Sequence, residues 1–316
     1  MNRAADREVG ESGDLPTSAS LPEAGREGGA IRRPPHSASG HAPLTVVILT
    51  LNEEAELATA LRSVSFCESV FIVDSGSTDG TRAVAEEHGA EFVVHVPPPP
   101  FRIADQRNWA LDNLPISSEW VLFLDADEEV PRPLRDRLAE VIRDPRDLWD
   151  AYELTPRYFF WGKWLKRTQG YPNWHPRLVR RGRKRFAGGV WEHFETGVRV
   201  GRLHEPYDHR ANAKGLRDWL ERHYRYAAWD ADRIIDTLRS GSSAELGTTR
   251  KVRLRYLAAK FWPLRPLARF FQMYVVRLGF LEGWPALNFC LLYFCYELMT
   301  VNLVVEKRRR AAGKDL

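Results

Sequence analysis

From Leu44 onward the chain alternates between short, unbroken apolar runs and amphipathic ones. LTVVILTL, residues 44–51, is continuous and rich in β-branched residues, the pattern of a strand covered on both faces. Asn52 follows, with Glu53 and Glu54 in the expected first turn of a helix whose Leu57, Leu61 and Val64 share one face. SVFIVDS is a second buried strand, and STDGTRAVAEEHG reads as a capped helix closed by Gly89. AEFVVHV gives a third strand, Pro97–Pro100 an extended connection, and RIADQRNWALDNL an amphipathic helix. EWVLFLDAD is a fourth strand, and Pro131–Ile142 a further helix.

Strand and helix alternating in this way predict an α/β domain with a mostly parallel, doubly wound sheet. Ligands on such sheets bind at the carboxyl ends of the strands. Those ends are Thr50-Leu51-Asn52, Asp74-Ser75-Gly76 and Asp125-Ala126-Asp127, all polar. After residue 150 the texture changes to aromatics, glycines and bases, expected as short strands and long loops forming a second half-site. A helix is expected over 216–238, then a basic, aromatic helical stretch over 251–280, then the nearly apolar run 284–305 before EKRRR.

Composition narrows the picture in three places. With 316 residues, 44% of them hydrophobic, the chain can bury a large core, yet its first 43 residues are rich in Gly, Pro, Ser, Glu and Arg. Such a segment buries too little to offset its ordering entropy, so it is expected as a disordered leader; it holds no signal-like apolar run, which places the fold in the cytoplasm. Cys67, Cys290 and Cys295 show no CxxC spacing and suit a reducing compartment. The net charge of +4 is modest, but bases crowd the second half, as in RLVRRGRKRF. Charge alone admits nucleic acid, anionic lipid or a phosphorylated substrate. No nucleic-acid-binding motif accompanies these bases, so nucleic acid is not the expected partner.

The rim carboxylates carry the chemistry. If the strand stays extended through DAD, Asp125 and Asp127 share a face, and two carboxylates there repel unless a cation intervenes. Oxygen-only ligands suit Mg2+ or Mn2+ completed by phosphate and water. The plainer reading is a helix-capping aspartate in a solvated acidic turn. Asp74 ends its strand on the same rim, where Gly76 lets a ligand approach the backbone, while Asp79 reads as the cap of the following helix.

TVVILTLNEE, VFIVDSGSTDGT, RNWAL and WVLFLDADE, in this order and at these separations, resemble the family 2 inverting glycosyltransferases over residues 44 to about 142. The resemblance implies the GT-A nucleotide-diphospho-sugar transferase fold. It implies that Thr50, Asn52 and Glu53 line a nucleotide pocket, that Asp74 holds the nucleobase, usually uracil, and that Arg107 contacts the nucleotide. It further implies that Asp125 reaches the ribose and metal region and that Asp127 ligates the divalent ion bridging the diphosphate. The organisation expected from it is a leader (1–43), a nucleotide-sugar-binding half (44–150), an acceptor-binding half (151–215) and a helical, membrane-associating region (216–316).

Inversion needs a base for the acceptor hydroxyl, and Glu153, Glu192, Glu195, Glu205 and Asp208 are available. RLVRRGRKRFAGGVWEHFETG resembles the acceptor-side segment of the lipopolysaccharide-core branch of the family, with Trp191 where that branch carries a histidine. The comparison favours Glu192 as base, Glu195 as second choice, and a strand carboxylate paired to arginine as the plain alternative. The histidines do not make a zinc hydrolase: His204 and His209 in HEPYDH are one residue too far apart, with Pro206 between them. They are expected to be structural, with a supporting role open to His204. Arg177, Arg180 and Arg181 read equally as phosphate clamps or as solvated charge.

The run 284–305 has Glu297 as its only charge and is long enough to span a bilayer or to form a buried helix. The basic, aromatic stretch before it suits the headgroup boundary of an anionic membrane. The expectation is therefore a Mg2+- or Mn2+-dependent inverting enzyme held peripherally at the cytoplasmic membrane face. It moves a sugar from a nucleotide diphosphate, UDP foremost, to a glycan or glycolipid acceptor in envelope or lipopolysaccharide-core synthesis. Two alternatives stand beside it: a polyprenyl-phosphate sugar synthase, and a non-catalytic sugar-nucleotide- or membrane-binding protein on the same scaffold.

Overall fold

The computed structural model describes residues 41–99, 101–182, 185–188, 192–210, 212–239 and 259–316. The expected leader, apart from 41–43, and residues 251–258 of the basic stretch lie outside the described residues.

The first half alternates as its pattern predicts: β1 (Ala42–Thr50), α1 (Leu57–Ser63), β2 (Cys67–Asp74), α2 (Thr81–Glu87), β3 (Glu91–Val94), α3 (Ile103–Asn113), β4 (Trp120–Asp125), then the short β5 (Glu128–Glu129) and α4 (Arg132–Val141). The continuous apolar runs have a direct explanation. Leu44, Val46 and Ile48 of β1 join Ile72, Leu122 and Leu124 in a core that includes Leu57 and Leu61 of α1 and Leu134 and Leu138 of α4. The intervening Val47 packs with Val73, Val121, Phe123 and Ala104 and Ala110 of α3 on the other face. Each fully buried Leu or Ile contributes about 1.5–3 kcal/mol, so the sheet core, and no single polar contact, fixes the fold.

The second half supplies β6 (Ala151–Leu154), β7 (Pro156–Phe160), β8 (Lys163–Trp164), β9 (His175–Arg180), β10 (Phe186–Ala187), β11 (His193–Phe194), β12 (Val200–Arg202) and β13 (Tyr207–His209). The main sheet has seven strands in the order β12-β6-β9-β4-β1-β2-β3. Its β4-β1-β2-β3 portion is parallel, whereas β9 runs antiparallel to both β4 and β6. The sheet is thus mixed, and the second half extends the first. A smaller sheet, β5-β13-β7-β8, pairs His209 with Glu128 and Asp208 with Glu129. That pairing carries a residue more than eighty positions downstream to the end of β4.

Among the described residues three further α-helices follow: α5 (Gly215–Arg239), α6 (Arg265–Phe271) and α7 (Trp284–Ala311), with a π-helical turn at Gln272–Val276 between the last two. Ala227, Ala231, Ile234 and Ile235 of α5 meet Leu303 and Val304 of α7. Phe289 and Cys290 of α7 pack on Phe160 and Leu165 beside β7 and β8. The attachment is also polar: Arg167 N, Thr168 N and Thr168 Oγ1 all donate to Glu282, at 2.7, 2.9 and 2.6 Å. Glu297, 1% exposed, is held by Arg265 at 2.6 Å and Arg269 at 3.3 Å. Among the described residues α7 is the one helix long and apolar enough to cross a membrane, with a third of its apolar window buried against the rest of the protein.

Candidate active site

The parallel register aligns the rim. Thr50 pairs with Asp74, and Leu49 with Asp125, so the ends of β1, β2 and β4 stand side by side. The LNEE and DSGSTDGT loops are then knitted together through backbone amides. Asn52 N donates to Ser77 Oγ at 2.7 Å, Glu53 N to Thr81 Oγ1 at 2.8 Å, and Glu54 N to Asp79 Oδ2 at 3.2 Å. Asn52 Oδ1 accepts from Thr78 N at 2.8 Å, and Gly80 N donates to Glu54 at 3.0 Å. Asn52 itself is left-handed, with φ 55°. The helix expected to start at Glu53 starts at Leu57, after a turn over 54–56 in which Leu57 N donates to Glu53 O at 3.0 Å.

Asp74 is the hub of this knot and is 1% exposed. Its Oδ1 accepts from Gly76 N at 2.9 Å and Ser77 N at 2.7 Å; its Oδ2 accepts from Thr50 Oγ1 at 2.8 Å and Ser77 Oγ at 2.5 Å. A carboxylate offers roughly four lone-pair sites, and here all are occupied. Burial alone would raise its pKa, but the bonds from Ser77 and Thr50 hold it below the usual value. A nucleobase bond to Asp74 requires Ser77 or Thr50 to give way. Gly76, with φ 99°, makes the turn in a conformation that L side chains rarely adopt.

At the end of β4 the extended backbone stops at Asp125, so a turn, and not the pleat, sets the direction of Asp127. Asp125 faces two arginines: Oδ1 lies 3.3 Å from Arg107 and Oδ2 3.0 Å from Arg177. Arg177 also meets the fully buried Glu128 at 2.5 Å, and Glu128 in turn accepts from Asp125 N at 3.0 Å. Arg107, entirely buried, donates to Pro176 O at 3.1 Å and meets Glu192 Oε2 at 2.9 Å. Arg107, expected from the resemblance to touch a nucleotide, here bridges the carboxylates of Asp125 and Glu192. Burial would raise the pKa of Asp125, but Arg177 and Arg107 hold it well below the carboxylate range. Glu128 behaves oppositely: burial outweighs Arg177 and, with Asp125 beside it, pushes Glu128 up to about 7.

Asp127 looks elsewhere, with its Oδ2 3.4 Å from His209 Nε2. Burial opposes ionisation of both, yet their attraction lowers the pKa of Asp127 and raises that of His209. Beside Asp127 is a hollow of about 30 Å³, lined also by Glu53, Lys214 and Arg222. Lys214 Nζ meets Glu53 Oε1 at 2.5 Å, while Glu53 Oε2 is buried with no hydrogen-bond partner. Burial, against the pull of Lys214, moves Glu53 up to about 7. Among the described residues no group of three or more His, Cys, Asp or Glu is arranged as a complete cation cage. An orphaned carboxylate oxygen beside a second carboxylate, in a space the size of one water, does fit a hard divalent ion that keeps water and substrate oxygens as its other ligands.

Residues 45–209 match the family model described as glycosyl transferase family 2, more than half of the chain. The chain belongs to this family. Within it, the "Lipopolysaccharide core biosynthesis glycosyltransferase LpsC" of Rhizobium meliloti (strain 1021) is 32% identical over 146 residues, 46% of this chain and 53% of that protein. An "Uncharacterized glycosyltransferase" of Rickettsia felis is 34% identical over 113 residues, 35% of this chain and 38% of the relative. The chain thus spans about half, or less, of the length of the curated relatives it matches. Among solved structures, glucosyl-3-phosphoglycerate synthase from Mycobacterium tuberculosis with Mn2+, UDP and glucosyl-3-phosphoglycerate is 18% identical, covering 58% of this chain and 80% of that one with a TM-score of 0.39. S. aureus TarS 1-349 is 15% identical, covering 85% and 91%, with a TM-score of 0.41. The sheet described above is the α/β GT-A fold of family 2.

In this family 2 chain the two candidate bases separate clearly. Glu195 is exposed. Glu192 is largely buried, with Oε2 held by Arg107 and Oε1 buried with no hydrogen-bond partner. Burial outweighs Arg107 and Arg177 and raises its pKa. Of the other carboxylates considered, Glu153 is engaged with Arg202 at 3.0 Å and Asp208 with Arg157 at 2.5 and 2.8 Å. Of the three arginines, only Arg177 reaches the site. Arg180 pairs across from Trp120, at the opposite end of β4, and is bound to Glu119; Arg181 donates to Ile116 O at 2.6 Å. His204 is exposed and packs edge-on against Trp174. Glu128, Lys214 and Arg222 carry no sequence signal of their own, and His209, expected to be structural, is brought to Asp127 by the pairing of β13 with β5.

Proposed function

We propose that this chain is a metal-dependent inverting glycosyltransferase. It takes a nucleotide-diphosphate sugar, UDP-linked, and transfers the sugar to a saccharide or lipid-linked acceptor of envelope glycan, in the manner of lipopolysaccharide-core synthesis. The observation that carries this reading is Arg107, which joins Asp125 at the rim to Glu192, a buried carboxylate with one free oxygen.

The mechanism follows from these groups. Glu192 Oε1 takes the proton of the acceptor hydroxyl as that oxygen attacks the anomeric carbon; the bond from that carbon to the diphosphate breaks, and the nucleoside diphosphate leaves with the electron pair. Arg107 fixes the other oxygen of Glu192 and keeps the free one aimed. Asp127 and Glu53 would hold the divalent ion, which supplies Lewis-acid stabilisation of the leaving diphosphate. Asp125 keeps Arg107 and Arg177 in register behind them. Lys214 and Arg222 give the hollow two cations suited to phosphate oxygens. Asp74 and Thr50 hold the paired loops against which the nucleotide rests.

Asp127→Asn lowers turnover on the order of 10² or more while leaving the melting temperature within a few degrees. It abolishes the response to Mg2+ or Mn2+ in donor-hydrolysis and transfer assays across a panel of nucleotide sugars. Wild-type transfer that persists undiminished in chelator would end the metal assignment.

The same reading places the protein peripherally on the cytoplasmic membrane face. Trp284, Leu291, Leu298 and Val305, seven residues apart, form an exposed stripe on α7 that ends near the exposed Arg308, Arg309 and Arg310, a pairing suited to anionic lipid. Vesicles of phosphatidylglycerol co-float with the full chain, and Leu291→Ser with Leu298→Ser weakens this about tenfold or more. Equal flotation of both proteins contradicts the placement.

A further inference from the structure

A second and larger cavity, of about 380 Å³, opens between the β7–β9 segment, the π-helical turn, α5 and α7. It adjoins the site described above. His209, which faces Asp127, forms part of its wall, and Arg222 lines both this cavity and the small hollow. Its remaining character is aromatic and cationic. Tyr158, Phe159 and Tyr226 contribute ring surface, and Arg269 and Arg277 contribute guanidinium groups.

The cations are only partly balanced from within: Arg222 meets Asp218 at 2.8 Å. Glu297 is shared between Arg265 and Arg269. Arg277 donates to Thr168 O at 3.2 Å and has no carboxylate partner among the described residues. Its guanidinium lies against Gly170, where a Cβ would come within 2.8 Å of Cζ. Burial, and then Arg269, press the pKa of Arg277 downward, the signature of a cation without compensation. Two of the histidines in the wall add no charge: burial takes His175 down to about 3 and His223 to about 4. A partly buried guanidinium without a carboxylate is costly to keep unless a ligand supplies the anion.

We propose that this cavity is the acceptor subsite, and that it takes a sugar bearing an oxyanion, a phosphate monoester or a carboxylate, held by Arg277 with help from Arg269. The proposal rests on the glycosyltransferase reading and names the class of its acceptor. Planar guanidinium suits two-point contact with either oxyanion, and the aromatic walls suit the C–H faces of a sugar ring. The ring then lies between the anion-holding arginines and His209, on the side from which Asp127 and Asp125 are approached. The helical region thereby becomes part of the acceptor site.

The test is calorimetric titration of the full chain, with UDP and Mg2+ at saturation, using glucose 6-phosphate, glucuronate and glucose as probes. The expected result is that at least one charged probe binds about tenfold or more tighter than glucose. Preference for the phosphate or for the carboxylate identifies the anion's source. Arg277→Gln removes that advantage while UDP still binds as in the wild type, and Arg277→Lys retains part of it. Equal binding of all three probes to the wild type overturns the proposal without any variant. So does an Arg277→Gln protein that keeps the preference. Loss of UDP binding in Arg277→Gln overturns it as well, by assigning the arginine to the donor's diphosphate. A wild-type protein that prefers the charged sugar yet never binds UDP instead refutes the donor reading and leaves the anion subsite standing.

Discussion

The donor rim and the helical side of the molecule are held together by different means. On the rim, two loops only some twenty-five residues apart are tied by backbone amides and small hydroxyls around Asp74. On the helical side, separate helices are tied by ion pairs, as where Glu297 meets Arg265 and Arg269 and Lys307 meets Asp232. Amide and hydroxyl bonds of fixed loop geometry give a rigid bed for a ligand that must be placed to within a fraction of an ångström. Ion pairs between distant helices enclose space without prescribing the same local geometry, which suits the side that distinguishes one acceptor from another. The lesson is that charge is handled differently: satisfied locally around Asp74, and left without a carboxylate partner at Arg277 in the larger cavity, among the described residues.

The largest effect expected to sharpen this contrast is at Glu192, held by Arg107 behind the rim. Glu192→Gln removes the base and lowers kcat on the order of 10²–10⁴ for a hydroxyl acceptor, with UDP affinity unchanged because the donor loops are untouched. A phosphate acceptor needs little help from a base, so near-normal transfer by that variant would shift the assignment to a polyprenyl-phosphate sugar synthase. The pH profile gives an independent reading. A base acts unprotonated, and burial raises the pKa of Glu192, so kcat/KM falls with decreasing pH through a point above the usual carboxylate value of about 4.3. An acid limb at or below that value would mean that a carboxylate other than Glu192 does the work.

The next effect separates the helical side from the rim. Glu297→Gln leaves Arg265 and Arg269 facing each other without their shared carboxylate. Removing one member of a buried ion cluster costs about 3–5 kcal/mol, and the partial exposure of Arg269 sets the expectation at the lower end. Urea unfolding followed by near-UV signals is the measurement, and UDP stabilises the variant as much as the wild type if the rim is independent. Loss of the UDP response together with the helical packing would show that the two regions are one cooperative unit.

How much of this was legible in the sequence follows the same division. The four strand–helix repeats and the polar ends of β1, β2 and β4 were readable because each depends on residues close in sequence, and the order of motifs over 44–142 pointed to family 2. The start of α1 was not, because a turn over 54–56 comes before Leu57 and local propensity says nothing of that. Nor was the engagement of Asp125 by Arg107 and Arg177, since the antiparallel insertion of β9 next to β4 is what brings Arg177 there. His209 was read as structural for the same reason: its place beside Asp127 is set by a two-residue strand pairing with no signature of its own. The single stretch 284–305 looked equally like a membrane span and a core helix, and α7 has one face buried on α5 and an exposed apolar stripe on another.

The smallest effect tests whether the rim's local satisfaction matters to the ligand. Thr50, 3% exposed, donates one of the four hydrogen bonds that fill Asp74. Thr50→Val keeps the β-branched shape that the strand needs and removes only the hydroxyl, leaving Asp74 Oδ2 with Ser77 alone. A hydrogen bond to a charged group is worth about 1.5–3 kcal/mol, so the urea midpoint falls modestly while the sheet core is unchanged. The freed lone pair on Asp74 then competes for Ser77 or for the nucleobase, and the two outcomes differ in sign. If the knot exists to hold the loops, UDP stabilises Thr50→Val less than the wild type. If Asp74 instead gives up a loop contact whenever a base arrives, the variant has already made that concession, and UDP stabilises it more.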